Sequence, residues 1–550
     1  MGFKISGVGL DGSGMTLKQL AAKQGAAADN PIMAAKVDNV LVSLDEEIEK
    51  CENIEFIDLD SEGGQRIYRQ SVLFLMMMAL YELEPQAKLE VHFPIHKSLL
   101  VEIQNIGEIT EGFINELTME MKMLVAENLP IERHVVSRER AIQAYSELHR
   151  TNSTGFLKES DDESVIMYQC DFFSECMIDI LADYTGKLGM FKLELCGNGV
   201  ALSTPMTENG VRKIRSYVDA PKFISLLNEA KSWGRILRCN YVYEMNQLIR
   251  RGDIGDLIRV SEALHEKKIA YIADHIAANR HKLRIVSIAG PSSSGKTSFA
   301  NRLKIHLRVN GLEPVSISLD DYFVNREDTP RNEKGEFDFE SIEAIDLKLF
   351  NQHLSKLLRG EEVVTPRFNF KTGRREWDGQ PAMKVGDDQP IILEGIHCLN
   401  ERLTESVSRD QKYKIYISAL TPLNFDNHNR ISTTLVRLIR RILRDTRTRG
   451  KDAEETLKLW TNVRAGEERN IFPFQEEGDV MFNSSLIYEL SMMKKPIVDE
   501  LSKIKQTSAQ YSKAQYLLEL LSHFEEIDEE RHVPNTSLLR EFIGGSCFFE

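Results

Sequence analysis

The run Gly290-Pro-Ser-Ser-Ser-Gly295-Lys296-Thr297 fits G-x-x-x-x-G-K-[ST] without a mismatch. Chance gives that pattern roughly once or twice in a hundred chains of this length and composition. The chemistry it serves is the holding of a nucleoside triphosphate. The glycines let main-chain N–H groups come close to phosphates, and the end of the following helix adds partial positive charge. Lys296 reaches the β- and γ-phosphates, and the Thr297 hydroxyl ligates magnesium. Gly290, Ser292, Ser293, Ser294, Gly295, Lys296, Thr297 and Ser298 are therefore the candidate nucleotide-binding residues, with ATP and Mg2+ as the implied cofactors.

Acids and arginines at later positions suit the same chemistry. Val315-Ser-Ile-Ser-Leu319 runs into Asp320-Asp321-Tyr322-Phe323, and Gln389-Pro-Ile-Ile-Leu393 runs into Glu394. In an open parallel sheet the strand C-termini face the ligand crevice. An aspartate there, Asp320, can take a proton from an acceptor hydroxyl, and Glu394 can hold magnesium directly or through water. A turn or a solvated strand end is the plainer reading of each acid. Between Arg437 and Arg449 lie six arginines, of which Arg437, Arg441 and Arg444 share a helical face. Beside a phosphate loop that density suggests a lid over phosphoryl charge; a solvated basic helix or an RNA patch is the alternative.

These residues need a scaffold. Leu283–Ala289 is strand-like, and Phe299, Leu303 and Leu307 mark one face of a helix after the loop. Strand candidates at 284–289, 315–319, 391–393 and 414–417 alternate with helical patterns across residues 281–500, which predicts a parallel sheet flanked by helices. Residues 1–60 read as a small α+β unit, with a helix over Thr16–Ala21 and strands over Ile32–Val42 and Ile54–Asp58. Residues 61–220 read as a second α+β unit, with helices over 68–83, 114–129 and 138–149 and a strand over 190–196. Residues 221–280 are helical in pattern and bridge to the third unit or pack on it. Residues 501–550 read as a helix, Tyr511–Phe524, followed by a polar tail. The fold class is α/β: a P-loop domain preceded by two α+β domains.

Composition narrows the function classes. The 550 residues are 42% apolar and 28% charged, as in globular proteins. A net charge of −15 opposes general binding to a polyphosphate backbone. Cys51, Cys170, Cys176, Cys196, Cys239, Cys398 and Cys547 are scattered and form no C-x-x-C pair, which fits a reducing compartment. The strongest apolar run, Val72–Tyr81, is about half a membrane span. Gly2 and Ser6 match the loose myristoylation pattern, but an ordinary first strand is the favoured reading. A cytoplasmic protein without membrane contact is expected.

Residues 281–490 resemble the uridine kinase and phosphoribulokinase family. The resemblance rests on Gly290–Thr297, Asp320–Phe323, Asp338-Phe-Glu-Ser-Ile-Glu-Ala-Ile-Asp346, Pro366-Arg-Phe-Asn-Phe370, Leu393–Ile396 and Arg440–Gly450, in matching order and spacing. It implies Asp320 as catalytic base, Thr297 and Glu394 at magnesium, and Arg441, Arg444 and Arg449 near the phosphates. It implies Glu340, Phe368, Phe370 and Arg441 at the acceptor. Several acceptor positions depart from the uridine kinase pattern: Glu340 replaces an aspartate, Phe368 a tyrosine, Gly373 a histidine and Leu459 a glutamine.

Residues 1–220 resemble the N-terminal part of threonyl-tRNA synthetase. Thr16–Ala21 and Ala34–Val37 look like its ubiquitin-like TGS module; Tyr68–Ser71 and Ile131–Glu139 look like its editing module. The metal-binding H-x-x-x-H pair of that module falls on Gln70 and Phe74, and its later histidine on Val200, while Cys196 remains. Glutamine and phenylalanine cannot replace two imidazoles, so a binding or regulatory module is expected there. His92 and His96, in an extended Pro-containing stretch, read as non-ligands.

Three functions stand open at this point: a kinase of a nucleoside-like alcohol, a kinase of the same family with a sugar-phosphate, glycerate-like or pantothenate-like acceptor, and an ATP-switched RNA-binding regulator. RNA or ribosome contact through residues 1–220 is not expected, and a homo-oligomer is compatible with everything above.

Overall fold

The computed structural model describes residues 4–6, 14–23, 30–48, 51–197, 199–208, 211–331, 335, 337–369 and 371–549. Gly2 therefore lies outside the described residues. The C-terminal half is built on a five-stranded parallel sheet in the order Val315–Ser318, Ile391–Glu394, Ile285–Ala289, Lys412–Ser418, Val480–Asn483. Strands covered on both faces must be apolar on both, and Ile285–Ala289 is buried at every position. The fifth strand was not among the sequence candidates, because four residues, Val-Met-Phe-Asn, carry too little pattern to be told from loop.

Helices cover both faces. On one, Val286, Ile288, Ile392, Ile415 and Phe482 meet Phe299, Leu303 and Leu307 of the helix Lys296–Val309, with Ile269, Ile272 and Ile276 beside them. On the other, Ile285, Ile317, Leu393 and Tyr416 meet Phe350 and Leu354 together with Leu226 and Leu227. The helical region after residue 220 thus divides into Pro221–Leu237, Val242–Arg251 and Ile254–Ala278, and its first and third helices pack on opposite faces of the sheet. Register brings the ends of Ile285–Ala289, Val315–Ser318 and Ile391–Glu394 to one edge.

The N-terminal half is α+β. Lys4–Ser6, Asn53–Asp58, Ile32–Val37 and Val40–Val42 form one sheet. The single strand expected over Ile32–Val42 is corrected to a hairpin. Its turn is Asp38-Asn39 with φ of 47° and 65°, a left-handed turn that those two side chains tolerate. The helix Glu62–Leu83 buries every residue from Val72 to Leu80 at the centre of a second core. Among the described residues no helix is long and apolar enough to cross a membrane. The expected polar tail is also corrected: Leu538, Leu539, Phe542 and Ile543 are buried, three of them in the core shared with the helix Thr433–Arg444. Four apolar residues in a short aperiodic segment give no helical signal.

Candidate active site

Gly290 ends the central strand where the neighbouring backbone leaves no room. A Cβ there would lie 2.3 Å from the Ile417 carbonyl oxygen and 2.9 Å from Ser294 Oγ. The loop then needs left-handed backbone at Ser293 (φ 58°) and Gly295 (φ 81°) before the helix starts at Lys296. Gly290→Ala is expected to cost about 1–3 kcal/mol, read as a drop of several degrees in the thermal unfolding midpoint; an unchanged midpoint would contradict the close approach.

Lys296 Nζ donates to the carbonyls of Gly290 at 3.0 Å and Pro291 at 3.2 Å. Burial pushes its ammonium pKa down, and the carboxylates of Glu394, Asp320 and Glu541 oppose that. The buried hydroxyls of Ser293 and Ser294 have no hydrogen-bond partner among the described residues. Thr297 Oγ1 donates to Glu394 Oε1 at 3.2 Å, while the buried Glu394 Oε2 has no partner among those residues. Burial, and then the negative Asp320, push the Glu394 carboxyl up to about 7. A hydroxyl beside a carboxylate with one orphaned oxygen is a hard-oxygen donor set that fits magnesium.

Asp320 sits in the 3-10 turn Leu319–Tyr322 directly after its strand. It lines one cavity of about 2030 Å³ together with Lys296, Thr297, Glu394, Arg441, Arg444 and Arg449. Its neighbour Asp321 anchors the hairpin of Arg367–Asn369 and Arg374–Glu376 instead, its Oδ1 accepting the Phe368 N–H at 3.2 Å.

The arginines sort into two groups. Arg437 and Arg440 are buried braces. Arg437 donates to the Ser292 carbonyl at 3.0 Å and to Glu467; Arg440 donates to Glu489 at 2.6 Å and the Ser484 carbonyl at 2.9 Å. Glu467 also accepts the Ser292 N–H at 2.9 Å, so one buried acid fixes both the loop and its brace. Arg441 Nη1 donates to Ser292 Oγ at 2.6 Å. After the helix Thr433–Arg444, the π-helical turn Asp445–Arg449 gathers Arg441, Arg444 and Arg449 around the buried Asp445 at 3.2, 3.3 and 3.6 Å. Arg444 beside it pushes the Arg449 guanidinium down to about 10, so positive charge is crowded there. Three guanidiniums on one carboxylate leave excess positive charge facing the cavity, which suits a phosphoryl group. Sequence reasoning missed Asp445 and Glu467. The i, i+4 spacing of Asp445 from Arg441 and Arg449 was a usable signal; Glu467, 30 positions beyond Arg437, carried none.

On the cavity wall Glu340 packs on Gly466, where a Cβ would lie 2.3 Å from the Glu340 Cβ. Burial and the Glu467 carboxylate push the Glu340 carboxyl up to about 7. The Phe368 ring lies 5.6 Å from that of Phe323. Phe370 lies outside the described residues. Gly373 (φ 71°) follows the hairpin strand Arg367–Asn369, and a Cβ there would lie 2.7 Å from Arg326 Nε. Leu459 is on the cavity wall. The wall also includes Glu62, Lys97, Met206, Thr207 and Arg215 from the N-terminal half. Lys97 pairs with Glu468 of the helix Ala453–Asn470, and Asp60 holds Thr207 and Arg212 at 2.5 and 2.7 Å. No pattern in the sequence announced that wall.

The synthetase-like half places Phe74 in the core, its ring 5.3 Å from that of Phe173, with Cys196 and Val200 also buried. Among the described residues, the one metal-spaced group of His, Cys and acids is Glu90, His92 and Glu102. The Lys231 ammonium lies 2.7 Å from Glu102 and 2.8 Å from His92, so a side-chain cation already serves that cluster.

Comparison with known proteins finds two kinds of relative. Residues 285–489 match the Phosphoribulokinase / Uridine kinase family. Uridine kinase of Bacillus pumilus is 31% identical over 185 residues, 34% of this chain and 78% of that protein. Threonine–tRNA ligase of Rubrobacter xylanophilus is 30% identical over 184 residues, 33% of this chain, and this chain spans only 28% of the length of that relative. A solved structure titled as a "Possible Uridine Kinase" from Bacillus stearothermophilus aligns with 40% of this chain and 98% of its own, at 18% identity and a TM-score of 0.28. Identity of 31% across more than three quarters of a uridine kinase, with a family match over residues 285–489 that takes in the phosphate loop, Asp320, Glu394 and the arginine turn, decides the kinship: this chain belongs to the phosphoribulokinase / uridine kinase family.

Proposed function

We propose that the protein transfers the γ-phosphoryl group of ATP to a hydroxyl of a nucleoside or nucleoside-like alcohol. The observation that carries this is the shared cavity: Lys296, Thr297, Glu394, Asp320, Glu340 and Phe368 all line it. Main-chain amides of residues 290–297 and Lys296 bind the triphosphate. Asp320 accepts the proton of the attacking hydroxyl, which aligns that oxygen with the γ-phosphorus. Arg441, Arg444 and Arg449 stabilise the charge that spreads over the transferring group. Magnesium held by Thr297 and Glu394 would supply charge neutralisation between the phosphates. Seven free thiols, six of them buried, support a reducing compartment and a cytoplasmic site of action.

A second reading keeps the reaction and changes the acceptor to a non-nucleoside alcohol. The departures at Glu340, Phe368, Gly373 and Leu459 favour it, together with a cavity wall supplied by the synthetase-like half. An acceptor panel read by ADP release separates the two. Uridine or cytidine turnover supports the first reading; turnover of another alcohol alone supports the second. Retention of tRNA with no transfer to any acceptor would instead support an ATP-switched RNA binder.

Glu340 gives the acceptor step a pH dependence. With its carboxyl near 7, it is mostly protonated at pH 6 and mostly ionised at pH 8. The ionised form accepts hydrogen bonds from two acceptor hydroxyls, so the acceptor KM is expected to fall about tenfold from pH 6 to pH 8. Glu340→Gln should flatten that slope; a slope unchanged in the variant assigns it to another group.

A further inference from the structure

The C-terminal segment reaches the phosphate loop. Ser298, fully buried in the first turn of the loop helix, donates its hydroxyl to Glu541 Oε2 at 2.7 Å. Leu538 lies against the loop itself, 3.4 Å from where a Cβ on Gly295 would stand. Glu541 faces the same cavity as Lys296 and Thr297. The segment is also tied to the arginine turn. The Phe542 ring lies 5.0 Å from the Arg440 guanidinium, and Arg447, inside the turn Asp445–Arg449, donates to the Ile543 carbonyl. One four-residue helical turn, Arg540–Ile543, therefore links the nucleotide loop to the lid and aims a carboxylate at the loop.

A carboxylate is an unusual neighbour for a surface built to receive phosphate. The N-terminus of the helix Lys296–Val309 is positive and attracts anions. Glu541 satisfies the Ser298 hydroxyl and adds a negative field at Lys296 and Glu394. A polyphosphate on residues 290–298 brings like charge to the same place. We propose that Glu541 is an affinity-setting residue of the nucleotide site: its carboxylate competes with the phosphate groups of a nucleoside polyphosphate for Ser298 and the positive helix end, and binding displaces the turn Arg540–Ile543. The proposal rests on the kinase reading, because it needs phosphates on this loop. It makes the occupancy of the nucleotide site sensitive to the C-terminal segment, and through Arg447 to the position of the lid.

The test uses the full chain and a non-hydrolysable ATP analogue with Mg2+ in isothermal titration calorimetry. Glu541→Gln keeps an oxygen for the Ser298 hydroxyl and removes the charge. It is expected to tighten binding of the analogue and of ADP about tenfold. The gain should shrink as salt is raised, which a purely structural contact would not do. Glu541→Asp, which keeps the charge on a shorter arm, should gain less. Inorganic tripolyphosphate should show the same ordering, since the effect belongs to the phosphates. Equal or weaker binding by Glu541→Gln, with wild-type binding intact and lost in Lys296→Ala, overturns this proposal alone. If neither wild type nor Glu541→Gln binds nucleotide or tripolyphosphate, phosphates do not sit on the loop, and the kinase reading falls together with it.

Discussion

Lys296→Ala should reduce phosphoryl transfer about a thousandfold or more, while circular dichroism and the thermal midpoint stay close to those of the wild type. The cause lies in the loop. Lys296 Nζ is held by the Gly290 and Pro291 carbonyls, and it lies in the field of Glu394, Asp320 and Glu541. On the proposed reading, a side chain already held in the loop meets the charge that moves toward the β–γ bridge with little reorganisation. Removal of a single preorganised donor from such a site costs about 10²–10³ in rate, and here a full charge is lost rather than a dipole. Fold integrity follows from what Lys296 does not do: its hydrogen bonds go to two loop carbonyls, and the helix it begins is carried by Phe299, Leu303 and Leu307. Lys296→Arg is not a rescue, since a planar guanidinium cannot follow an ammonium into the same cradle. Undiminished transfer by Lys296→Ala would remove the phosphate loop from the reaction.

The parts legible in the sequence share a property: their signal is local. The phosphate loop is a contiguous pattern whose glycines answer backbone demands at positions 290 and 295. The strands Ile285–Ala289 and Ile391–Glu394 are short, mostly apolar runs ending where the chain must turn, so Glu394 could be placed at the sheet edge from order alone. The arginine turn was readable as a cluster, but its division of labour was not. Arg437 was grouped with Arg441 and Arg444 on one helical face, yet Arg437 is a brace on Glu467 and the Ser292 carbonyl. The same i, i+4, i+7 spacing can face core or cavity, and only the packing of the helix Ala453–Asn470 decides which. What stayed hidden is long-range. Glu541 lies 243 positions from the Ser298 hydroxyl it accepts. Lys97 and Thr207 reach the cavity only because Ile95, Cys196 and Ala201 of the synthetase-like half pack into the core beside the sheet. Contacts of that kind arise from docking of units, and no periodicity within either unit encodes them.

Asp320→Asn separates the two roles an acid at this position could have. As the base, Asp320 takes the proton of the acceptor hydroxyl and holds neither magnesium nor phosphate. Its loss should then lower the transfer rate about 10²–10⁴-fold and leave the affinity for Mg·ATP unchanged or slightly improved. The improvement has a physical source: the Asp320 charge is the largest electrostatic influence raising the Glu394 carboxyl, and it also opposes the approach of phosphate. Neutralising it should move the Glu394 pKa below its present value near 7, so Glu394 stays ionised, and able to hold magnesium, at lower pH. The pH at which Mg2+ dependence of nucleotide binding is half lost should therefore move down in Asp320→Asn. As a metal ligand, by contrast, Asp320 would contribute directly to Mg·ATP affinity, and the substitution would weaken it in parallel with the rate. Slow hydrolysis of ATP by water adds a second discriminator. A base positioned for the acceptor hydroxyl matters less to a water that can enter from several directions, so hydrolysis should fall less than transfer. Parallel loss of transfer, hydrolysis and Mg·ATP affinity would reassign Asp320 to the metal and leave the acceptor proton to another group in the cavity, with Glu340 the carboxyl nearest to neutral pKa on that side.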